Sequence, residues 1–188
     1  MQGGSMSITD TMNTYFETQF PNHQTTIFRD LMMNLKKIME ESPLSEQERF
    51  LSLMAVSSSL ENQGLMELAQ SELQKQDFTQ EQIQEAKESA AIMGMLNTYY
   101  KFKGFLASDS VEDYQRTGLR MQSLGKPQNG KERFEMMAFA VSVVNGCPSC
   151  IASHEKALRQ LNMEADKVHD LARLAAVVKG LTALQKTA

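Results

Sequence analysis

Apolar residues recur along this chain at helical spacing, and no stretch alternates with the two-residue period of a strand. An all-α fold is the expectation. Local signals set the helix boundaries. Met6 to Phe20 reads as a first helix, ended by Pro21. Ile27 to Met39 carries Ile27, Leu31, Met32, Leu35 and Ile38 as one stripe, and Pro43 interrupts after it. Ser45 with Glu48 forms a capping box for a helix through Leu60; Thr79 with Gln82 forms another for a long helix to about Leu106. Between them, Glu61 to Gly64 is a turn and Leu65 to Leu73 is helical. Ser108-Asp109-Ser110 is a break, and Ser110 with Asp113 starts a short helix. Gly125 to Gly130 is the clearest loop, with Asn129 and Glu132 placed to cap the helix that follows. Leu161-Asn162 marks a stop before a closing helix from Glu164 to Gln185.

A short internal repeat overlies this pattern. Ala55-Val56-Ser57 matches Ala140-Val141-Ser142, and Ala90-Ala91-Ile92 matches Ala175-Ala176-Val177, both at an offset of 85 residues (140 − 55 and 175 − 90). The shared offset suggests a duplicated helical unit. At that offset Phe50 stands opposite Glu135, Asn62 opposite Cys147, Leu65 opposite Cys150 and Ala69 opposite His154. Reactive groups are confined to the second copy. The expectation is a single domain over residues 6–188, with a degenerate half at about 6–107 and a catalytic half at about 108–188. Met1 to Ser5 reads as an expression remnant ahead of Met6.

Both cysteines of the chain fall in one C-x-x-C, Cys147-Pro148-Ser149-Cys150, with His154 four residues after the second and Glu135 twelve residues before the first. Asn145-Gly146 is a turn signal. Pro148 suits the first position of a helix, where its missing N–H costs nothing. A helix starting there puts Cys147 at or near the N-cap, with Cys150 and His154 on the same face at i,i+3 and i,i+4 spacings. The helix N-terminus favours a thiolate, and a neighbouring imidazole can take or stabilise its proton. The segment therefore reads as a redox dithiol with a built-in base. From spacing alone the attacking sulfur stays open, because the dipole acts most on Cys147 whereas His154 is nearest Cys150.

Charge and composition exclude other classes. A net charge of -4 gives no basic footprint for nucleic acid. No apolar run reaches transmembrane length. There is no cationic leader with an apolar core at the start, so the expected setting is cytoplasmic. Cysteines three apart close almost no loop, and in a reducing cytosol such a pair is more often catalytic or metal-binding than structural.

At these residues the chain resembles the AhpD-type alkylhydroperoxidases of the carboxymuconolactone decarboxylase-like superfamily, whose motif is a Glu, a C-x-x-C and a following His. Here that is Glu135, Cys147 to Cys150, and His154. Flanking matches are Ala90 to Met95, Tyr99-Tyr100 with Gly104 to Leu106, Gly118 to Met121 and Ala140 to Ser142. The resemblance is dense over the second half; the first half fits in length and helical pattern. It implies an all-α AhpD-like fold of two related halves, assembled as a trimer or larger homo-oligomer. It also implies peroxidase activity on hydrogen peroxide or organic hydroperoxides, with no bound haem, flavin or metal. By this likeness Cys150 attacks the peroxide, Cys147 resolves the sulfenic acid to a disulfide, and His154, with Glu135 through a water, relays protons. The implied reductant is a dithiol such as dihydrolipoamide, carried on a lipoyl-bearing 2-oxoacid dehydrogenase component. One departure stands out: Ser149 occupies a position where the family often has His.

Two other readings fit the same residues. One is a disulfide oxidoreductase on other substrates. The other is a helical binding module stabilised by zinc, since Glu135, Cys147, Cys150 and His154 are four permissible ligands. Tyr99, Tyr100, Phe102 and Phe105 are candidates to line a site for an organic peroxide or to pack in the core. The 14 methionines read as core and interface filler. His23 and His169 read as surface or structural, and Glu41 to Glu48 and Glu81 to Glu88 as solvated faces.

Overall fold

In a computed structural model of the chain, residues 7–106 and 111–186 are described. They form eight α-helices, two short 3₁₀ turns and, among the described residues, no strand. The helices are α1 (Ile8–Gln19), α2 (Thr26–Glu41), α3 (Glu46–Ser59), α4 (Gln63–Lys75), α5 (Gln80–Phe105), α6 (Lys131–Asn145), α7 (Pro148–Gln160) and α8 (Ala165–Gln185). The all-α expectation holds. The break expected at Ser108 to Ser110 lies outside the described residues; the short helix after it is a 3₁₀ turn, Val111–Tyr114.

Helix starts follow the polar caps. Ser45 and Glu48 bond reciprocally at the start of α3, as do Thr79 and Gln82 at the start of α5, so both capping boxes form. Asn129 does not cap α6. The N-cap there is Gly130 at φ 79°, and Asn129 instead donates to the Gln82 carbonyl and the Glu85 carboxylate, pinning the preceding loop to α5. The α2 stripe also differs from its sequence reading. Phe28, Leu35, Ile38 and Met39 are buried, while Ile27 is 67% exposed. Glu48 is no solvated charge; it is buried and pairs with Lys167 of α8 at 2.9 Å.

Helices α3 and α6 pack against each other at the centre. Each is buried around nearly its whole circumference, from Glu48 to Ser57 in α3 and from Met136 to Ser142 in α6, as a helix with neighbours on all sides must be. The 85-residue offset relates the elements themselves: α3, α4 and α5 start at residues 46, 63 and 80, and α6, α7 and α8 at 131, 148 and 165. The turns correspond as well. Glu61 and Gly146 both adopt positive φ (57° and 64°), and so do Asp77 and Asn162 (61° and 65°).

Helix α1 makes the two halves unequal. Gln19 lies so close to α4 that a Cβ on Gly64 would meet its side chain at 2.9 Å, and Tyr15 and Phe16 are buried in the same core as Leu65 and Ala69. Gly64, the α4 residue that corresponds to Ser149 of α7, is thus covered by the chain's own first helix.

Candidate active site

The C-terminus of α6 and the N-terminus of α7 meet in one turn. Gly146 is left-handed; its N–H donates to the Val143 carbonyl, and the N–H of Cys147 donates to the Ser142 carbonyl. This pair of bonds is a Schellman motif, which satisfies the last carbonyls of α6 and reverses the chain into α7. Cys147 is the N-cap of α7, Pro148 takes its first position, and the Cys147 carbonyl accepts from Ile151. The turn signal, the proline and the N-cap position are all where the spacing predicts.

Cys147 and Cys150 are joined in a disulfide with their Cα atoms 5.3 Å apart. The two sulfurs are not equivalent. Cys147 is fully buried, whereas Cys150 lines a cavity of about 360 Å³. His154 and Glu135 line the same cavity, and Glu135 Oε2 lies 2.7 Å from His154 Nδ1. The two side chains meet directly, each about one-fifth exposed. Holding Nδ1 on a carboxylate fixes the ring and leaves Nε2 as the nitrogen free to exchange a proton in the cavity. Ser149 also faces the cavity, its hydroxyl 3.7 Å from the Cys147 sulfur.

The opposite wall is apolar. Met93, Leu96 and Tyr100 come from α5, Met121 and Leu124 from the segment ahead of α6, and Phe134 from α6. Of the four aromatic candidates only Tyr100 lines the cavity. Tyr99 stacks edge-on with Tyr100, Phe102 packs on Tyr114, and Phe105 is 85% exposed. Sequence reasoning passed over Asn97, which is 1% exposed, lines the cavity and bonds to two side chains of α6. A polar residue in an otherwise apolar stripe, between Leu96 and Tyr100, was the available signal. His23 packs between Phe20 and Phe28, and His169 is exposed on α8; neither touches the cavity. Among the described residues no three His, Cys, Asp or Glu side chains converge as a metal ion would require.

The all-helical scaffold, with its dithiol pair at a helix start beside a His–Glu pair, defines the class, and sequence comparison agrees with it. The model of the carboxymuconolactone decarboxylase family matches residues 116–188. Proteins named alkyl hydroperoxide reductase AhpD are similar over most of the chain. That of Mycolicibacterium smegmatis is 37% identical over 161 residues, covering 85% of this chain and 89% of the relative. That of Mycobacteroides abscessus is 35% identical over 81% of this chain and 86% of its own length, and that of Rhizorhabdus wittichii 34% over 85% and 91%. The chain belongs to the AhpD family of alkyl hydroperoxide reductases.

Proposed function

We propose that the chain is a thiol-dependent peroxidase that reduces hydrogen peroxide or an organic hydroperoxide through a Cys147/Cys150 dithiol–disulfide cycle, with the C-terminal half as its catalytic part. One observation carries this reading: Cys150, His154 and Glu135 line one largely apolar cavity from which Cys147 is withheld. In the reduced protein the Cys150 thiolate attacks one peroxide oxygen. The O–O bond breaks, a sulfenic acid forms on Cys150, and His154 gives the departing alkoxide or hydroxide its proton. Glu135 orients the ring and stabilises the imidazolium. The Cys147 thiolate then attacks the Cys150 sulfur; an S–S bond forms, and the S–O bond breaks to release hydroxide, which is protonated to water.

The disulfide is reopened by an external dithiol such as dihydrolipoamide, presented on a lipoyl-bearing 2-oxoacid dehydrogenase component in the cytoplasm. The cycle needs no resident cofactor. No helix among the described residues is long and apolar enough to cross a membrane. The chain works as a homo-oligomer, a trimer or a multiple of one; large apolar side chains left in solvent, Phe105 at 85% and Ile27 and Met33 on α2 at 67% and 65%, support this.

The test is a single turnover of reduced protein with stoichiometric peroxide, followed by thiol counting and a sulfenic-acid trap. Wild type should lose both thiols to the Cys147–Cys150 disulfide. Cys150→Ser should consume no peroxide, and Cys147→Ser should trap a sulfenic acid at Cys150 without further turnover. Two thiols remaining in the wild type would sink the peroxidase. A protein that exchanges with disulfides but leaves peroxide untouched would favour the oxidoreductase reading.

A further inference from the structure

Asn97 sits in the middle of α5, almost fully buried, and both ends of its amide are engaged by α6. Its Nδ2 donates to Ser142 Oγ at 2.9 Å, and its Oδ1 accepts from Asn145 Nδ2 at 2.9 Å. Asn145 Oδ1 in turn accepts from Ser59 Oγ at 3.3 Å, so the donors run in one direction through four side chains from three helices. These contacts fall on a defined place. Ser142 supplies the carbonyl that holds the Cys147 N–H, and Asn145 is the last residue of α6 before left-handed Gly146. Asn97 therefore grips the first and last residues of the final turn of α6, which delivers Cys147 to the start of α7.

The repeat shows that this grip differs between the halves. Thr182 occupies the position corresponding to Asn97, at 182 − 97 = 85 residues. Thr182, on α8, accepts at 2.8 Å from Nδ2 of Asn62, the N-cap of α4 and the residue corresponding to Cys147, and donates to its own helix at the Val178 carbonyl. There the cap itself is held. In the cysteine half a sulfur takes the cap position, makes no side-chain capping bond, and the preceding turn is braced from behind instead.

We infer that Asn97 is a positioning residue for disulfide closure: through Ser142 and Asn145 it fixes the Gly146–Cys147 turn so that the Cys147 thiolate stays within reach of the oxidised Cys150 sulfur. The inference rests on the assignment of Cys147 as the resolving thiol. The step it serves is the attack of Cys147 on the Cys150 sulfenic acid, with loss of hydroxide as water. A slack turn leaves the attack of peroxide on Cys150 untouched but lets the sulfenic acid live longer, so a second peroxide oxidises it further to the sulfinic acid.

Two measurements test this. The first needs no peroxide: the equilibrium between the dithiol and glutathione disulfide, which forms the intramolecular disulfide and two glutathione thiols, gives the effective concentration of Cys147 at Cys150. It should fall on the order of tenfold in Asn97→Ala, which loses two hydrogen bonds, and less in Ser142→Ala, which loses one. The double variant should be no worse than Asn97→Ala, as residues acting through one network are not additive. The second is single-turnover oxidation, where both variants should accumulate several times more sulfinic acid at Cys150, and Ser142→Ala, whose side chain is not among those lining the cavity, should keep the wild-type rate of sulfenic-acid formation. Thr182→Ala removes the corresponding bond, at the N-cap of α4; it should lower the melting temperature and leave both readouts unchanged. Unchanged glutathione equilibria in folded Asn97→Ala and Ser142→Ala would overturn the inference whatever the peroxide result. A slowed sulfenic-acid step in Ser142→Ala would also overturn it, because Ser142 is not a cavity residue and the network would then be serving peroxide attack rather than disulfide closure. Failure of wild type to consume peroxide, with the glutathione differences intact, would remove the peroxidase reading and keep the brace.

Discussion

Glu135 and His154 stand on different helices, nineteen positions apart in sequence, and their side chains meet at 2.7 Å on the wall of the cavity that Cys150 also lines. The pair exists because α6 and α7 fold back on each other through the Gly146 turn. His154→Ala should lower the single-turnover peroxide rate at neutral pH by about 10²-fold or more, the usual worth of a positioned acid–base group. Glu135→Gln keeps a hydrogen-bond acceptor but removes the charge, and should cost less. The sign of the pH effect follows from the thiol. Without its base, Cys150 must ionise unaided, so the His154→Ala rate should rise between about pH 6 and 9 as thiols titrate. Stopped-flow oxidation across that span checks this; superimposable profiles for the three proteins would make the pair structural.

Cavity shape should set which peroxide is used. Met121 and Leu124 stand across from Cys150 in a space of about 360 Å³. A Met121→Trp substitution narrows that space. With overpacking worth about 1–3 kcal/mol, kcat/KM for a bulky aryl or alkyl hydroperoxide should fall roughly 5- to 150-fold. Hydrogen peroxide needs little room and should be affected about twofold at most. Equal losses for both substrates would show that the apolar wall plays no part in selection.

The two corresponding turns predict opposite signs for one kind of substitution. Gly146 has φ 64°, and any Cβ there is strained, so Gly146→Ala should destabilise by about 1 kcal/mol. Glu61 holds nearly the same conformation, φ 57°, with a side chain. Glu61→Gly relieves that strain and should be neutral or stabilising by up to about 1 kcal/mol, the difference between the left-handed penalty and the chain entropy of glycine. Urea midpoints of the two variants read this directly.

Phe50 corresponds to Glu135 but is fully buried in the α3–α6 core. Phe50→Ala should cost about 3–5 kcal/mol by chemical denaturation, as a large cavity opens where no solvent can enter. Glu135→Ala, at the rim of the open cavity, should cost far less. Comparable losses would contradict the unequal filling of the two halves.

Much of this was legible in the residues because it depends on near neighbours. The helical period of the apolar positions, the Ser45 and Thr79 capping boxes, the Asn145-Gly146 turn and Pro148 at the start of α7 are local signals, and each produces its element. The shared offset, read from two three-residue matches, recurs in the starts of three helix pairs. Local reading failed where partners come from elsewhere in the chain. Asn129 has a competing acceptor on α5 and leaves α6 without a side-chain cap; Glu48 finds Lys167 and is buried; Ile27 stays largely in solvent. The site divides in the same way. The spacing of Cys147, Cys150 and His154 follows from one helix, and the chain alone determined it. That Cys150 alone of the two sulfurs reaches the cavity, that Asn97 grips the turn behind Cys147, and that α1 covers Gly64, the counterpart of Ser149, were decided only by tertiary packing, because each depends on helices brought together from distant parts of the sequence.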